Sequence, residues 1–416
     1  MQKQHQAGFH ITLILLVVAV VGVAGLIGYR LISTHDVARD EQDAPRQQAR
    51  PAPENGFAAQ YKDACKPRDV TFTSGPMPAD QLAYIEPLGK VGDGHVTPTD
   101  HVYVHPPDMN AGDVYDAVMP ADGTVVEIAA MPSQYVGDRD IQTSPEDHRL
   151  VVAHNCELYS IFIHIHKLAP KLADAVKGLQ PNQSKRVSLE LKAGDKLGKV
   201  GGHGYDWTSV DTTKQLSGFI TPDNYKGESW KIHTVSPFDM YEGALKQELE
   251  AKSLRARAPL GGKIDWDQPG KLIGNWFREG SGGYAGTNNN QGRYWDAHLS
   301  IAPDFIDGVT TIVSIGNWEG KAAQLVAKGG FKPETVTPAN GPVKVELARI
   351  SYVLPDGSPW YGGAPVKGMT ANATGETLGT IMFEVQKGER LKVEKFVGKT
   401  AAQVHGFTAE AQTYTR

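Results

Sequence analysis

Residues 11–29, ITLILLVVAVVGVAGLIGY, run for nineteen positions without a charge, and no other stretch constrains the chain as much. At about 1.5 Å per helical residue such a run approaches the thickness of a bilayer's hydrocarbon core. A transmembrane helix is therefore predicted within residues 1–32. A cleaved signal peptide is the alternative, but the apolar run exceeds an ordinary h-region and no A-x-A site follows it. Lys3 stands on one side and Arg30 and Arg39 on the other, so the positive-inside bias leaves the orientation open. Few residues precede the helix and most of the chain follows it. The expectation is a single-pass cell-membrane protein with an extracytoplasmic soluble part.

Residues 33–58 contain STHDVARDEQDAPRQQARPAPENG, which is charged, proline-dotted and nearly free of large apolar side chains. Such a segment cannot bury a core and reads as a disordered linker. The remaining length exceeds one ordinary core and divides at ARAPLGGK into a domain over 59–257 and another over 258–416. Forty-five glycines, 26 prolines and many short Val, Ile, Tyr and Thr runs predict a mainly β protein. A net charge of -5 offers no basic surplus for phosphate backbones, so nucleic acid is excluded as a partner. The two cysteines, Cys65 and Cys156, are too few for a thiolate zinc site. They leave a single disulfide open, depending on compartment.

Nine of the fourteen histidines lie between His95 and His233. The densest stretch is GHVTPTDHVYVH, residues 94–105, and FIHIH (His164, His166) and KIH (His233) follow further along. Between them the chain reads as hairpins: strands around the Ala121-Asp122-Gly123 turn, strands around Asn155, and strands around Gly194-Asp195. A short helix is predicted over about 168–179, with Leu168, Leu172 and Val176 on one face, and another over 237–257. His148 and His154 read as structural, His105 as a strand end and His203 as loop.

The order of these pieces resembles the lysostaphin-like zinc endopeptidases of cell-wall peptidoglycan. The resemblance covers roughly residues 85–243. It rests on Ala121, Asp122, Gly123, Thr124 and Val125, on Val151, His154, Tyr159 and His164, and on Leu191, Gly194, Asp195, Leu197, Gly198, Val200 and Gly201. It implies an antiparallel domain of the duplicated hybrid barrel type. It also implies a Zn2+ held by His95, by Asp100 or His101, and by His233, with His164 or His166 assisting catalysis. Three such ligands leave a position for water, whose pKa zinc lowers to about 7. The closing motif departs from the family, because Lys231 stands where a histidine is expected, and a lysine is no neutral base at pH 7 unless burial depresses its pKa. Two functions follow: a zinc-dependent hydrolase of cell-wall peptide, or an inactive metallopeptidase-like module that binds peptidoglycan or an envelope protein. A biotin-carrier-like barrel without metal is the alternative fold.

Beyond residue 258 the chain reads as a β-sandwich or barrel. Ile-Gly-Asn-Trp occurs at 273–276 and again at 315–318, a short echo of paired hairpins. Trp276, Tyr284, Tyr294, Trp295 and Trp318 suit either sugar stacking or a small β core. No nucleotide loop, G-x-S-x-G elbow or H-E-x-x-H occurs, so those enzyme classes drop out.

Overall fold

The computed structural model describes residues 56–92, 94–132, 146–286 and 293–416; the predicted membrane helix and most of the linker lie outside the described residues. No helix among the described residues is long and apolar enough to cross a membrane. The protein is mainly β, and the described residues belong to one compact unit.

Eleven strands precede the second cluster of elements: β1 (Tyr84–Glu86), β2 (Val102–His105), β3 (Tyr115–Val118), β4 (Gly123–Pro132), β5 (Glu146–Ala153), β6 (Leu158–Ile163), β7 (Lys167–Leu168), β8 (Ser184–Leu191), β9 (Lys196–Val200), β10 (Tyr205–Asp211) and β11 (Thr234–Val235). They form an antiparallel sheet ordered β1-β2-β10-β6-β5-β4-β8, with β11 on β10, and a small sheet ordered β3-β9-β7. The turn residues do what their types dictate. Gly194 sits at φ +85°, open to glycine and strained for others. The Asn155 side chain accepts the Glu157 and Leu158 amides at 2.9 and 2.7 Å, closing the β5–β6 hairpin.

Alternation then sorts the side chains of the large sheet onto two faces. One face carries Val102, Val104, Leu150, Val152, Phe162, Tyr205 and Trp207, all within the main apolar core. The other face divides in two. Val151, Ala153, Tyr159, Ile161 and Val210 make its apolar half, covered by Phe57 and Tyr61 from the segment that contains α1 (Gly56–Ala59). Its polar half holds the charged side chains described below. The Cys65–Cys156 disulfide ties this covering segment to the β5–β6 hairpin across 91 residues of sequence.

The predicted helices are present but shorter. Pro170 opens α2 (Pro170–Ala175) and Gly178, at φ +83°, ends the segment, with Leu172 and Val176 in the core. The second helix divides into a 3-10 turn, Pro237–Met240, capped by the Ser236 hydroxyl, and α3 (Gly243–Lys252). The break falls after Met240, where Tyr241 takes an extended conformation that no run of apolar spacing announces.

The remaining strands, β12 (Gly274–Arg278), β13 (His298–Pro303), β14 (Thr311–Ile315), β15 (Ala323–Ala327), β16 (Val343–Val353), β17 (Thr370–Gln386), β18 (Arg390–Val397) and β19 (Gln412–Thr415), close into an eight-stranded antiparallel barrel. Neighbours in sequence are neighbours in space, and the pairing Phe277↔Thr415 shuts the ring. Trp276 and Trp318, the two tryptophans of the repeated tetrapeptide, both lie in its apolar interior. Arg416 seals it: the guanidinium lies 4.1 Å from the Trp276 ring and donates to the carbonyls of Ile273, Gln268 and Lys271. Tyr284 and Trp295 are buried and Tyr294 half-buried, so these aromatic side chains serve packing.

Candidate metal centre

Strand register explains how distant residues meet. Asp206 on β10 is paired with Tyr103 on β2 and with Ile163 on β6, the last residue before His164. His101, two residues before Tyr103, shares its face, and the two rings lie 4.8 Å apart. His164 itself takes φ +70°, a left-handed conformation that costs energy for a non-glycine residue. At that bend the imidazole meets the buried carboxylate of Asp147 on β5.

The result is a chain of acids and imidazoles. His101 Nδ1 lies 3.2 Å from Asp100 Oδ1, and His164 Nδ1 lies 2.8 Å from Asp147 Oδ2. Both Nε2 atoms face the same oxygen, Asp206 Oδ2, at 3.5 Å from His101 and 3.7 Å from His164. His101 Nε2 is buried and forms no hydrogen bond. Asp100 is held from further sides: the Trp230 indole donates to its Oδ2 at 2.7 Å, and the buried Lys231 ammonium stands 3.7 Å from its Oδ1. Lys231 also lies 4.7 Å from the centre of the Tyr284 ring, so the barrel region contributes a wall to this cluster.

Charge follows from these contacts. Burial works against a charged His101, but Asp206 and Asp100 prevail and raise its pKa. For His164 burial is likewise outweighed, by Asp147 and then Asp206, and the pKa rises to about 9. Burial opposes the Asp100 charge too, yet Lys231, His101 and Trp230 hold that carboxyl well below the usual range. His95 goes the other way: burial, with His101 and Lys231 beside it, lowers its pKa to about 3 and keeps the ring neutral. Its ring meets His101 edge-on at 5.6 Å.

Of the residues singled out in the sequence, the structure therefore brings His95, Asp100, His101 and His164 together. His166 is fully buried with its Nδ1 2.6 Å from Asp113 Oδ1. His233 donates from Nδ1 to the Lys214 carbonyl at 2.6 Å, at the surface. It is Lys231, two residues earlier, that faces Asp100. Two members of the cluster, Asp147 and Asp206, carry no motif; only the register of β10 between β2 and β6 would have found Asp206. A groove of about 710 Å3 lies elsewhere, bordered by Lys66, Arg68, Asp122, Glu190 and Lys192. Lys66 and Arg68 there pair with Glu190, and Lys192 with Asp122.

The donor set suits a zinc-like cation. Neighbouring ligand atoms of a tetrahedron with bonds of 2.0–2.2 Å are about 3.4 Å apart, close to both spacings around Asp206 Oδ2 and too long for good hydrogen bonds. Each imidazole is oriented by a carboxylate on its other nitrogen, the usual outer arrangement of metal-bound histidine. Among the described residues no group of three His, Cys, Asp or Glu side chains is already drawn together closely enough to hold a metal ion. A cation would therefore have to pull these side chains inward.

No family model matches the chain, and neither a curated protein nor a solved structure matches it.

Proposed function

We propose that the chain is a membrane-anchored cell-envelope protein whose β domain binds zinc through His101, His164 and Asp206 and hydrolyses amide bonds of cell-wall peptide. The observation that carries this reading is the meeting of two imidazole Nε2 atoms on one carboxylate oxygen, each ring braced behind by a further acid. Zinc, when bound, supplies a Lewis acid and an activated water at neutral pH. The chain supplies the rest. Asp100 and Asp147 accept hydrogen bonds from the Nδ1–H groups, which leaves the Nε2 lone pairs directed at the metal. Lys231 neutralises Asp100. The Cys65–Cys156 bridge supports an oxidising, extracytoplasmic setting, and the uncharged run at 11–29 supports an anchor.

A second reading is favoured by the charge balance. Three carboxylates, Asp100, Asp147 and Asp206, face Lys231 and two histidines whose pKa values are raised. With both rings protonated these six groups sum to zero without a metal, and the domain is then an inactive module that binds wall or an envelope partner. Exchange of those two protons for one divalent cation leaves the net charge unchanged, so metal uptake should release protons.

Metal analysis of the full chain purified in detergent without chelators decides between the readings. One zinc per chain, lost on Asp206→Ala, together with cleavage of isolated wall peptide supports the hydrolase. Absence of stoichiometric zinc and of cleavage removes it in favour of the binding module.

A further inference from the structure

The segment from Gly56 to Cys65 has an unusual way of staying in place. Its backbone hydrogen bonds are internal, Gln60 and Tyr61 to the first turn, Ala64 and Cys65 to Tyr61. It adds no strand to the sheet. What fixes it are two buried rings, Phe57 and Tyr61, both against Tyr159 at 5.3 and 5.9 Å, the Arg186 side chain, which donates to the Gln60 carbonyl at 2.8 Å, and the Cys65–Cys156 bridge. The bridge is only half-buried, so a soluble reductant can reach it. Tyr159 in turn donates its hydroxyl to the Cys156 carbonyl at 3.1 Å, so the rings and the bridge grip the same hairpin.

This strap also reaches the candidate centre. Phe57 packs on the Trp230 ring at 5.8 Å, with the Arg149 guanidinium 5.6 Å from the same indole. Trp230 donates to Asp100 Oδ2, and the other oxygen of Asp100 holds His101 Nδ1. Strap, indole, carboxylate and imidazole thus form one run of direct contacts.

We infer that Trp230 is a positioning residue for the metal centre and that the strap, latched by the Cys65–Cys156 bridge, is a redox-operated brace behind it. For its effect on metal the inference rests on the zinc reading above. In the step itself, a dithiol transfers two electrons: the Sγ–Sγ bond breaks, two protein thiols form, and the dithiol closes to its own disulfide. Once the bridge is open, the strap itself keeps its ring contacts and Arg186, and its end is tethered only through the following Lys66 and Arg68, which pair with Glu190; the indole loses its backing and His101 loses its fixed orientation. The loss of a partner outside the ligand shell commonly lowers metal affinity 10–100-fold.

The test uses the full chain in detergent and Co2+ alone as probe, followed by its d–d absorption, with near-ultraviolet circular dichroism to confirm folding. Cys65→Ser/Cys156→Ser mimics the open latch without adding thiol ligands. Phe57→Ala keeps the bridge and removes the ring, which guards against a double variant that fails to fold. Trp230→Phe keeps the packing and removes the donor. Each is expected to weaken Co2+ binding by about tenfold or more; folded variants within twofold of wild type overturn the brace. In metal-free protein the Trp230 indole N–H resonance, identified by its loss in Trp230→Phe, is expected to move upfield in the other two variants. Wild type that takes no Co2+ defeats the zinc reading alone, and the resonance then decides the brace: a shift upholds it, an unmoved resonance overturns it.

Discussion

The barrel and the open sheet are made of the same hairpins but place their buried polar groups differently. In the barrel every strand has two neighbours, and the interior is apolar from Leu272 to Tyr414. Its buried arginine, Arg416, closes one end against Trp276 and backbone carbonyls. In the large sheet one face is a conventional core, whereas the other is part apolar and part charged and needs covers. Closure satisfies backbone edges with nothing left over. An open sheet leaves a face on which acids and imidazoles can gather, and this is where the candidate chemistry lies.

Histidine shows the contrast at a single residue type. His298 on the barrel strand β13 is buried and donates from Nε2 to the Tyr284 carbonyl at 2.9 Å; burial lowers its pKa to about 3. His164 in the sheet region is half-buried and faces two carboxylates, and although burial opposes its charge its pKa rises to about 9. Burial alone therefore does not decide the charge; the neighbours do.

Four measurements can break or sharpen this contrast. The largest effect is expected in the barrel: Trp276→Ala removes a fully buried ring and the face on which Arg416 rests, and should cost about 3–5 kcal/mol in denaturant unfolding. A loss below about 1 kcal/mol would mean that the interior collapses around the gap. Next, Asp206→Ala should lower Co2+ affinity at least about 100-fold, since it removes a ligand rather than an outer partner; equal affinity would move the metal elsewhere.

The third is pH dependence of stability in metal-free protein, where the two histidines have opposite signs. His164 binds its proton more tightly when folded, so its stabilisation is fully present below about pH 6.5 and is lost as pH rises through about 9. His298 binds its proton less tightly when folded, so stability falls as pH drops below about 6.5 towards 3. His164→Gln should flatten the alkaline limb and His298→Gln the acid limb; limbs that persist unchanged would assign them to other groups. The smallest effect is at Tyr361, which is 93% exposed: Tyr361→Ser should shift stability by less than about 0.5 kcal/mol, and a larger loss would reveal packing of that hairpin tip.

Much of the fold was legible because β structure writes its rules locally. The turns at Asp122-Gly123, Asn155 and Gly194-Asp195 sit where the residue types put them, and the strands between them alternate. Of the two roles that the sequence left open for Trp276 and Trp318, sugar stacking or a β core, both side chains take the core. The candidate site was legible in part. His95, Asp100, His101 and His164 cluster because the chain entering β2 and the chain leaving β6 meet on either side of β10 in one sheet. The role of Asp206 was hidden, since a lone aspartate between Tyr205 and Trp207 has no pattern and acquires its neighbours only from register. The position of Lys231 was likewise hidden: in a 3-10 turn, successive side chains point in quite different directions, so Lys231 turns inward to Asp100 while His233 turns to the surface.

The order of the large sheet also bears on how the protein is assembled. Barrel strands pair with their sequence neighbours and need one distant closure, Phe277 with Thr415. Strand β10, by contrast, must slot between β2, which lies about a hundred residues earlier, and β6, and until it does Asp206 is nowhere near His101 or His164. Contacts between distant segments form late because loop entropy must be overcome first. A partly folded chain would thus carry the imidazoles without the carboxylate that joins them. The centre matures with the insertion of a single strand, and a chain that stalls before that step has no centre to misuse.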